Sequence, residues 1–279
     1  MELQHWVAGH LTGGIGNRLF QHSAAVGLAE KWRRPVVFCL SECDPTNHGP
    51  FENIFKLFPT IPRISTAQGI QRLPEAKGEA FIYTAFPSEP VADYCSIDGW
   101  RQTELYFPKG GIHPDFSSAV SAERRDELLK VYDLDTEEKR KSTWFLHVRL
   151  GDYKILPHHQ IDLHSYYSQA VKHIPPNSRI LLFSDEIEQF GVFLEGFLRQ
   201  MGAETIQTRI PDELEALFVM SQCWGGAVVA NSTFSWWGAY FAKQCSPPGY
   251  TAIYPGVWGK RLPEARDIVP SWGIRVSNS

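Results

Sequence analysis

Cysteine is scarce and scattered. The five cysteines, Cys39, Cys43, Cys95, Cys223 and Cys245, are odd in number and include no Cys-x-x-Cys pair, so neither a disulfide framework nor a zinc site is signalled. Long apolar runs are missing: no stretch approaches the roughly 18 consecutive apolar residues of a membrane span. Met1-Glu2-Leu3-Gln4-His5-Trp6 also lacks a basic segment with an apolar one behind it. Positive charge is not in excess. A formal net charge of -4 and a pI near 6.2 argue against a nucleic-acid-binding surface. Gly-x-Ser-x-Gly does not occur, which removes the serine-hydrolase elbow, and there is neither an internal repeat nor a low-complexity tract. A soluble, cytoplasmic protein with no nucleic-acid partner and no transmembrane segment is expected.

What is present is an aromatic-rich chain, with 9 Trp and 17 Phe in 279 residues. That suits a folded core and also suits sugar-binding walls. The length allows one large core or two moderate ones, and alternating strand and helix signals favour two α/β halves. Trp6 to Leu11 reads as a first strand, followed by a glycine-rich turn and a helix from about Arg18 to Trp32. Pro35 to Leu40, Phe81 to Thr84 and Ser96 to Trp100 are further strand candidates, while Ser41 to Ile64 reads as irregular. Ser121 to Tyr132 is an amphipathic helix, and the polar stretch Asp135 to Ser142 is the expected boundary, giving domains 1–140 and 141–279. In the second half strands are expected near Trp144 to Val148, Ile180 to Phe183, Ala227 to Ala230, Thr251 to Tyr254 and Ile274 to Val276. Helices are expected at Ser165 to His173, at Phe190 to Met201, from Asp212 as cap to Gln222, and from Asn231-Ser232-Thr233 onward.

Three expected strand ends carry polar residues in the loop that follows: Arg149 with Asp152, Ser184 with Asp185, and Asn231-Ser232-Thr233. On parallel strands of one sheet they would converge at its carboxyl edge, where open α/β sheets bind ligands. A guanidinium there offers a rigid fork of donors matched to phosphate oxygens. The plainer reading of Arg149 with Asp152 is an ion pair that stiffens a turn. Likewise Ser232 and Thr233 grip an anion at a helix start or simply cap it. Asp185 accepts from the N-H groups of a base or caps the helix after it, and His147 in an apolar strand is most simply a core histidine. Trp236, Trp237, Tyr240 and Phe241 read as core, with Gly238 and Ala239 permitting close packing. Gly14-x-Gly16 is half of a dinucleotide fingerprint, since Leu19 holds the third glycine position. Asp133-Leu134-Asp135 reads as a surface feature, and His158-His159 with Asp162 and His164 gives weak metal spacing, so no metal and no cofactor are expected.

Taken together, Gly13-Gly14-Ile15-Gly16-Asn17-Arg18-Leu19-Phe20-Gln21, Gly99 to Phe107, His147 to Tyr153, Phe183 to Glu186 and Ala230 to Tyr240 resemble the α-1,2-fucosyltransferases of glycosyltransferase family 11. The resemblance runs in the family's order from residue 13 to beyond 240. It implies an α/β, GT-B-like fold of two Rossmann-like, doubly wound halves facing a cleft, with 1–140 on the acceptor side and 141–279 binding GDP-fucose. It also implies inverting, metal-independent transfer of fucose from GDP-β-L-fucose to the 2-hydroxyl of a terminal β-galactoside on an acceptor glycan. Carried over, Arg149 would hold the donor diphosphate and Ser232, Thr233 and Phe234 would receive its phosphates. His147 and Asp185 would lie on the guanosine side, and Gly14, Gly16 and Asn17 would close on the diphosphate. Asp152 is the expected general base, or else it orients Arg149.

The chain departs from the family pattern at Leu150, where a second arginine is usual, at Arg18, where Gln is usual, and at His22, where Tyr is usual. Arg18 is expected to restore the cation that Leu150 removes. Competing readings are another GDP-fucose-dependent enzyme, α-1,6 or peptide-O, and a non-catalytic GDP-sugar or glycan-binding module. A nicotinamide-dependent oxidoreductase fits Gly14-x-Gly16 only loosely.

Overall fold

The computed structural model describes residues 4–44, 49–76, 79–186, 188–200, 202–260 and 265–278. The readings made for Met1 to Leu3, for 45–48 in the irregular stretch and for Met201 at a helix end lie outside the described residues. By compactness the chain forms two units, Met1–Ala119 with Pro263–Pro270 and Val120–Leu262 with Ser271–Ser279.

Unit 1 contains β1 (Trp6–Gly9), α1 (Ile15–Trp32), β2 (Phe38–Cys39), α2 (Asn53–Leu57), β3 (Arg63–Ile64), β4 (Gln71–Leu73), β5 (Tyr94–Ile97) and α3 (Phe116–Ala119). Its main sheet has the order β1-β5-β4, all parallel, and β2 pairs with β3. Alternation along β1 decides what covers each face. Val7 joins Cys95 and Ile97 against Ala24, Ala25, Leu28 and Trp32 of α1. Trp6 and Ala8 point the other way, to Val37 and Cys39. The strand expected at Phe81 to Thr84 is absent. Its backbone is held instead by scattered contacts: the Asp267 N-H donates to the Phe81 carbonyl at 2.9 Å, the Tyr83 N-H to the Asp267 carboxylate at 2.8 Å and the Thr84 N-H to the Tyr106 hydroxyl at 2.9 Å. Side-chain acceptors have thus taken the place of ladder partners.

Unit 2 contains α4 (Ala122–Val131), α5 (Glu137–Ser142), β6 (Thr143–Val148), α6 (Leu163–Ala170), β7 (Arg179–Ser184), α7 (Glu188–Gln200), β8 (Glu204–Gln207), α8 (Glu213–Ser221), β9 (Gly226–Val228), α9 (Thr233–Cys245), β10 (Ala252–Pro255) and β11 (Gly273–Val276). The six strands lie in the order β11-β10-β9-β6-β7-β8, and every pair is parallel. From β6 the chain winds outward through β7 and β8, then returns and winds the other way through β9, β10 and β11. That is the doubly wound nucleotide-binding order, and its reversal point lies between β6 and β9. All six residues of β6 are buried, as a central parallel strand covered on both faces must be.

The break between units precedes the expected boundary at 140. The polar stretch read as a linker is helix α5, capped by Thr136 accepting from the Lys139 N-H, with Glu137 and Glu138 in its first turn and Lys139 to Lys141 in its last. Charges so placed oppose the ends of the helix dipole, and the helix runs directly into β6. α4 is also tied into unit 2, because Arg124 donates twice to Glu215 of α8 at 2.9 and 2.7 Å. Asp133 and Asp135 share Lys139 at 2.6 and 2.7 Å, in keeping with their reading as a surface feature.

The cap at Asp212 is as expected, accepting from the N-H groups of Leu214 and Glu215 at 2.8 and 3.0 Å. α9 then packs on α8 with Trp236 and Trp237 fully buried and Phe241 nearly so. Gly238 permits the close approach: an added Cβ would lie 2.5 Å from the Met220 sulfur, so that side chain would have to shift.

Candidate active site

The site is built on the exits of β6, β7 and β9. After β6 the chain passes through Arg149 and Leu150 into a tight turn at Gly151–Lys154. After β7 come Ser184 and Asp185, and after β9 come Asn231 and Ser232 at the head of α9. Since β6 lies between β7 and β9, these exits share the carboxyl edge at the reversal point.

Buried tyrosines of α6 hold the strand ends there. The Tyr167 hydroxyl donates to the His147 carbonyl at 2.6 Å. The Tyr166 hydroxyl lies 2.6 and 3.0 Å from the carbonyls of Val229 and Ile253. Burial pushes both phenols up, so they remain donors. The sequence reading placed both residues in a helix but saw no role for them.

Arg149 is clamped by two acids. Its Nη2 donates to Asp152 at 2.5 Å and its Nη1 lies 2.7 Å from Asp185. A guanidinium carries five N-H donors, so the clamp fixes its plane and still leaves donors for an anion. The Arg149 and Asp152 side chains are about one third exposed, so they face solvent at the rim. Asp185 was given to the guanosine side or to a helix cap. In the structure its second oxygen accepts from the Leu150 N-H at 2.8 Å, so both of its oxygens brace the turn after β6. Gly151 makes this approach feasible, because an added Cβ would stand 2.4 Å from the Asp185 Oδ2. Asp152 has Oδ1 engaged by Arg149, which favours its orienting part.

Ser232 occupies the cap position of α9 but makes no side-chain cap hydrogen bond, so the plain capping reading does not describe it. Thr233 opens the first turn beside it. His147 is buried, its ring 5.9 Å from that of Phe234. Among the described residues its Nδ1 has no hydrogen-bond partner, unlike the satisfied core histidine that the apolar run led one to expect. Burial, helped by the Arg149 charge, pushes its pKa down to about 3, so the ring is neutral.

In unit 1, Gly14 is the cap residue of α1, and Gly16 and Asn17 lie in its first turn, three residues earlier than the expected helix start at Arg18. Asn17 accepts from the Gln102 side chain at 2.9 Å. At the same sheet's carboxyl edge Glu42 pairs with Arg72 at 2.9 Å and lies 3.6 Å from His10. That cluster has no sequence signal, since Arg72 lies in β4 while Glu42 and His10 lie in the connections after β2 and β1. Arg18 does not take up the expected part. It is fully buried, donating to the Pro50 carbonyl at 3.0 Å with its guanidinium over the Phe51 ring. Leu150 instead packs on the apolar core of unit 2.

His22 and His147 make acid stability a test of this description. His22 is stacked on Phe38 and meets Phe58, and burial pushes it down to about 3. Between the ordinary value of 6.5 and about 3 the unfolded chain binds a proton that the folded one refuses, so stability falls as pH falls through that window. Each histidine should account for about 2 kcal/mol at about pH 5. His22→Phe should remove unit 1's share, read as a smaller drop in urea midpoint between about pH 7.5 and pH 5. An unchanged drop would contradict it.

No family model matches the chain. Over 276 aligned positions it is 25% identical to the O-antigen biosynthesis glycosyltransferase WbnK of Escherichia coli, covering 82% of this chain and 88% of that one. It is 24% identical to an α-1,2-colitosyltransferase of Escherichia coli over 274 positions, 84% of this chain and 87% of that one. Among solved structures, the NodZ α-1,6-fucosyltransferase soaked with GDP-fucose superposes with a TM-score of 0.50 at 14% identity, over 84% of this chain and 91% of that one. The chain thus has a GT-B-like fold of parallel, Rossmann-like sheets, and its relatives over most of its length are glycosyltransferases.

Proposed function

We propose that the protein is an inverting galactoside α-1,2-fucosyltransferase that uses GDP-β-L-fucose. The observation that carries this reading is the pairing, across the β6/β9 reversal point, of a clamped guanidinium with a helix head whose cap hydroxyl is not engaged in capping. Such a pairing suits a diphosphate that must leave with negative charge.

In the reaction the bond from fucose C1 to the β-phosphate oxygen breaks and its electron pair departs on GDP. The acceptor 2-hydroxyl oxygen bonds C1 from the opposite face, and its proton passes to a base. Arg149 and the N-H groups at the head of α9, with Ser232 and Thr233, meet the charge that grows on GDP, so this reading asks for no metal. Phe234 and His147 line the same exit and Asp185 braces it. Asp152 holds Arg149 through one oxygen, and its other oxygen is the first candidate to accept the proton. The name of one relative carries the same α-1,2 linkage, and the superposed structure was soaked with GDP-fucose.

The test offers GDP-fucose and a panel of β-galactosides to the purified chain, with linkage determined by NMR. Transfer to the 2-hydroxyl is expected. A different linkage would replace the assignment, and GDP binding without transfer to any galactoside would favour a binding module. A second reading, favoured by the colitosyltransferase relative, is transfer of colitose, and a colitose donor in the same panel separates the two.

Gly151→Ala tests the clamp on Arg149. The added methyl must displace the Asp185 carboxylate, which removes a charged hydrogen bond from the guanidinium. GDP affinity should fall roughly tenfold by calorimetry with little change in melting temperature. Unaltered affinity would count against the clamp.

A further inference from the structure

The turn after β6 does more than carry Arg149. We infer that Tyr153 and His159 are positioning residues that set the Arg149 guanidinium and tie it, through Asn231, to the head of α9. This rests on the donor reading given above.

The contacts close into a ring. The Arg149 guanidinium lies 5.4 Å from the Tyr153 ring centroid. The His159 imidazole stacks on the same phenol, 4.5 Å between centroids and 9° from parallel. The Tyr153 hydroxyl donates to the Asn231 carbonyl at 3.3 Å. Asn231, almost fully buried, donates its side-chain amide back to the His159 carbonyl at 2.7 Å and to the Trp258 carbonyl at 2.9 Å. One cluster therefore joins the exits of β6, β9 and β10 across the reversal point of the sheet.

Chemistry favours positioning over mere filling. A cation over an aromatic face is held by the ring quadrupole, and a stacked second ring fixes the tilt of the first. Burial pushes the Tyr153 phenol up to about 12, so its hydroxyl stays a donor to Asn231. Asn231 directly precedes Ser232, so a shift at Tyr153 moves both anion-facing elements at once. Misplacement by about 1 Å in such a site carries a large rate penalty.

The experiment is GDP titration by calorimetry on the full chain, with a thermal melt for each variant. Wild type should bind GDP, and Tyr153→Leu and His159→Ala should each weaken binding about tenfold. His159→Phe keeps a stacking ring and should return affinity to within about threefold of wild type. In an Arg149→Ala background, Tyr153→Leu should cost clearly less than it does in wild type, since the part of its effect that passes through the guanidinium is gone and only the part carried by Asn231 to the head of α9 remains. A residue that only supports the fold would show the same loss in both backgrounds, and that result overturns the inference. So does unchanged affinity in both single variants, or failure of His159→Phe to rescue. If Tyr153→Leu does not fold, His159→Ala with its phenylalanine rescue decides the matter. Absence of GDP binding in wild type would overturn the donor reading itself and this inference with it. Binding in wild type with indifferent variants would overturn this inference alone.

Discussion

Replacing Arg149 by alanine is expected to lower transfer by about 10²- to 10³-fold while leaving unit 2 folded. In the proposed reaction the residue is a fixed donor aimed at the rim where charge would develop, and Asp152 at 2.5 Å and Asp185 at 2.7 Å hold it there before any ligand arrives. Nothing has to reorganise during the reaction, which is why one such donor is worth roughly 3 kcal/mol. Truncation also leaves the two carboxylates facing the place a diphosphate would occupy, so repulsion adds to the lost attraction. The fold should tolerate the change, because an ion pair about one third exposed contributes little to stability. Steady-state kinetics against GDP-fucose, beside a thermal melt, checks both halves. Equal losses in kcat and kcat/KM would mark an interaction made mainly in the transition state. Turnover within a few-fold of wild type would remove Arg149 from the chemistry. Lysine at the same position should recover only part of the activity, since a point charge cannot reproduce the planar fork.

The second large effect is on stability. Trp237→Ala should destabilise unit 2 by about 3 to 5 kcal/mol, the range for deleting a fully buried large aromatic. Its ring is completely buried and meets Trp236, Tyr240 and Phe241, each at 5.2 Å between centroids. The close packing of α8 on α9, set by Gly238 against Met220, leaves the surroundings little room to collapse into the hole. The same helix carries Thr233 in its first turn and Ser232 at its cap, so donor affinity should decline together with stability. Urea unfolding followed by near-ultraviolet circular dichroism measures it, and a loss below about 1 kcal/mol would show that α9 is not held by this cluster.

Particular elements show how far a reading by residue order can go. β6 and β7 were legible as apolar runs ending in polar turns, α8 was legible from Asp212, and the head of α9 from Asn231-Ser232-Thr233. In each, the signal lies within a few residues of what it specifies. α5 was misread because its helix depends on Thr136 as cap and on charges ordered along its axis, a pattern that resembles a linker when only polarity is weighed. β8 was missed because Glu204–Gln207 is a short edge strand that is only half buried. Phe81 to Thr84 failed because one of its partners, Asp267, is 184 residues from Tyr83 in the chain.

Residue order alone determined the chemistry on offer: a guanidinium with a carboxylate three residues on, a helix start bearing two hydroxyls, apolar runs long enough for strands, and no framework of cysteines. It also carried the motifs that resemble a fucosyltransferase family. Only the tertiary structure decided that β9 lies beside β6, that Asp185 braces Arg149, that Arg18 is buried under Pro50 and Phe51, and that Tyr153, His159 and Asn231 close on one another. The physical reason is that caps, turns and periodicity act over a few residues. Strand order and side-chain partnership depend instead on crossovers and packing, which join residues far apart in the chain only when the whole sheet has formed.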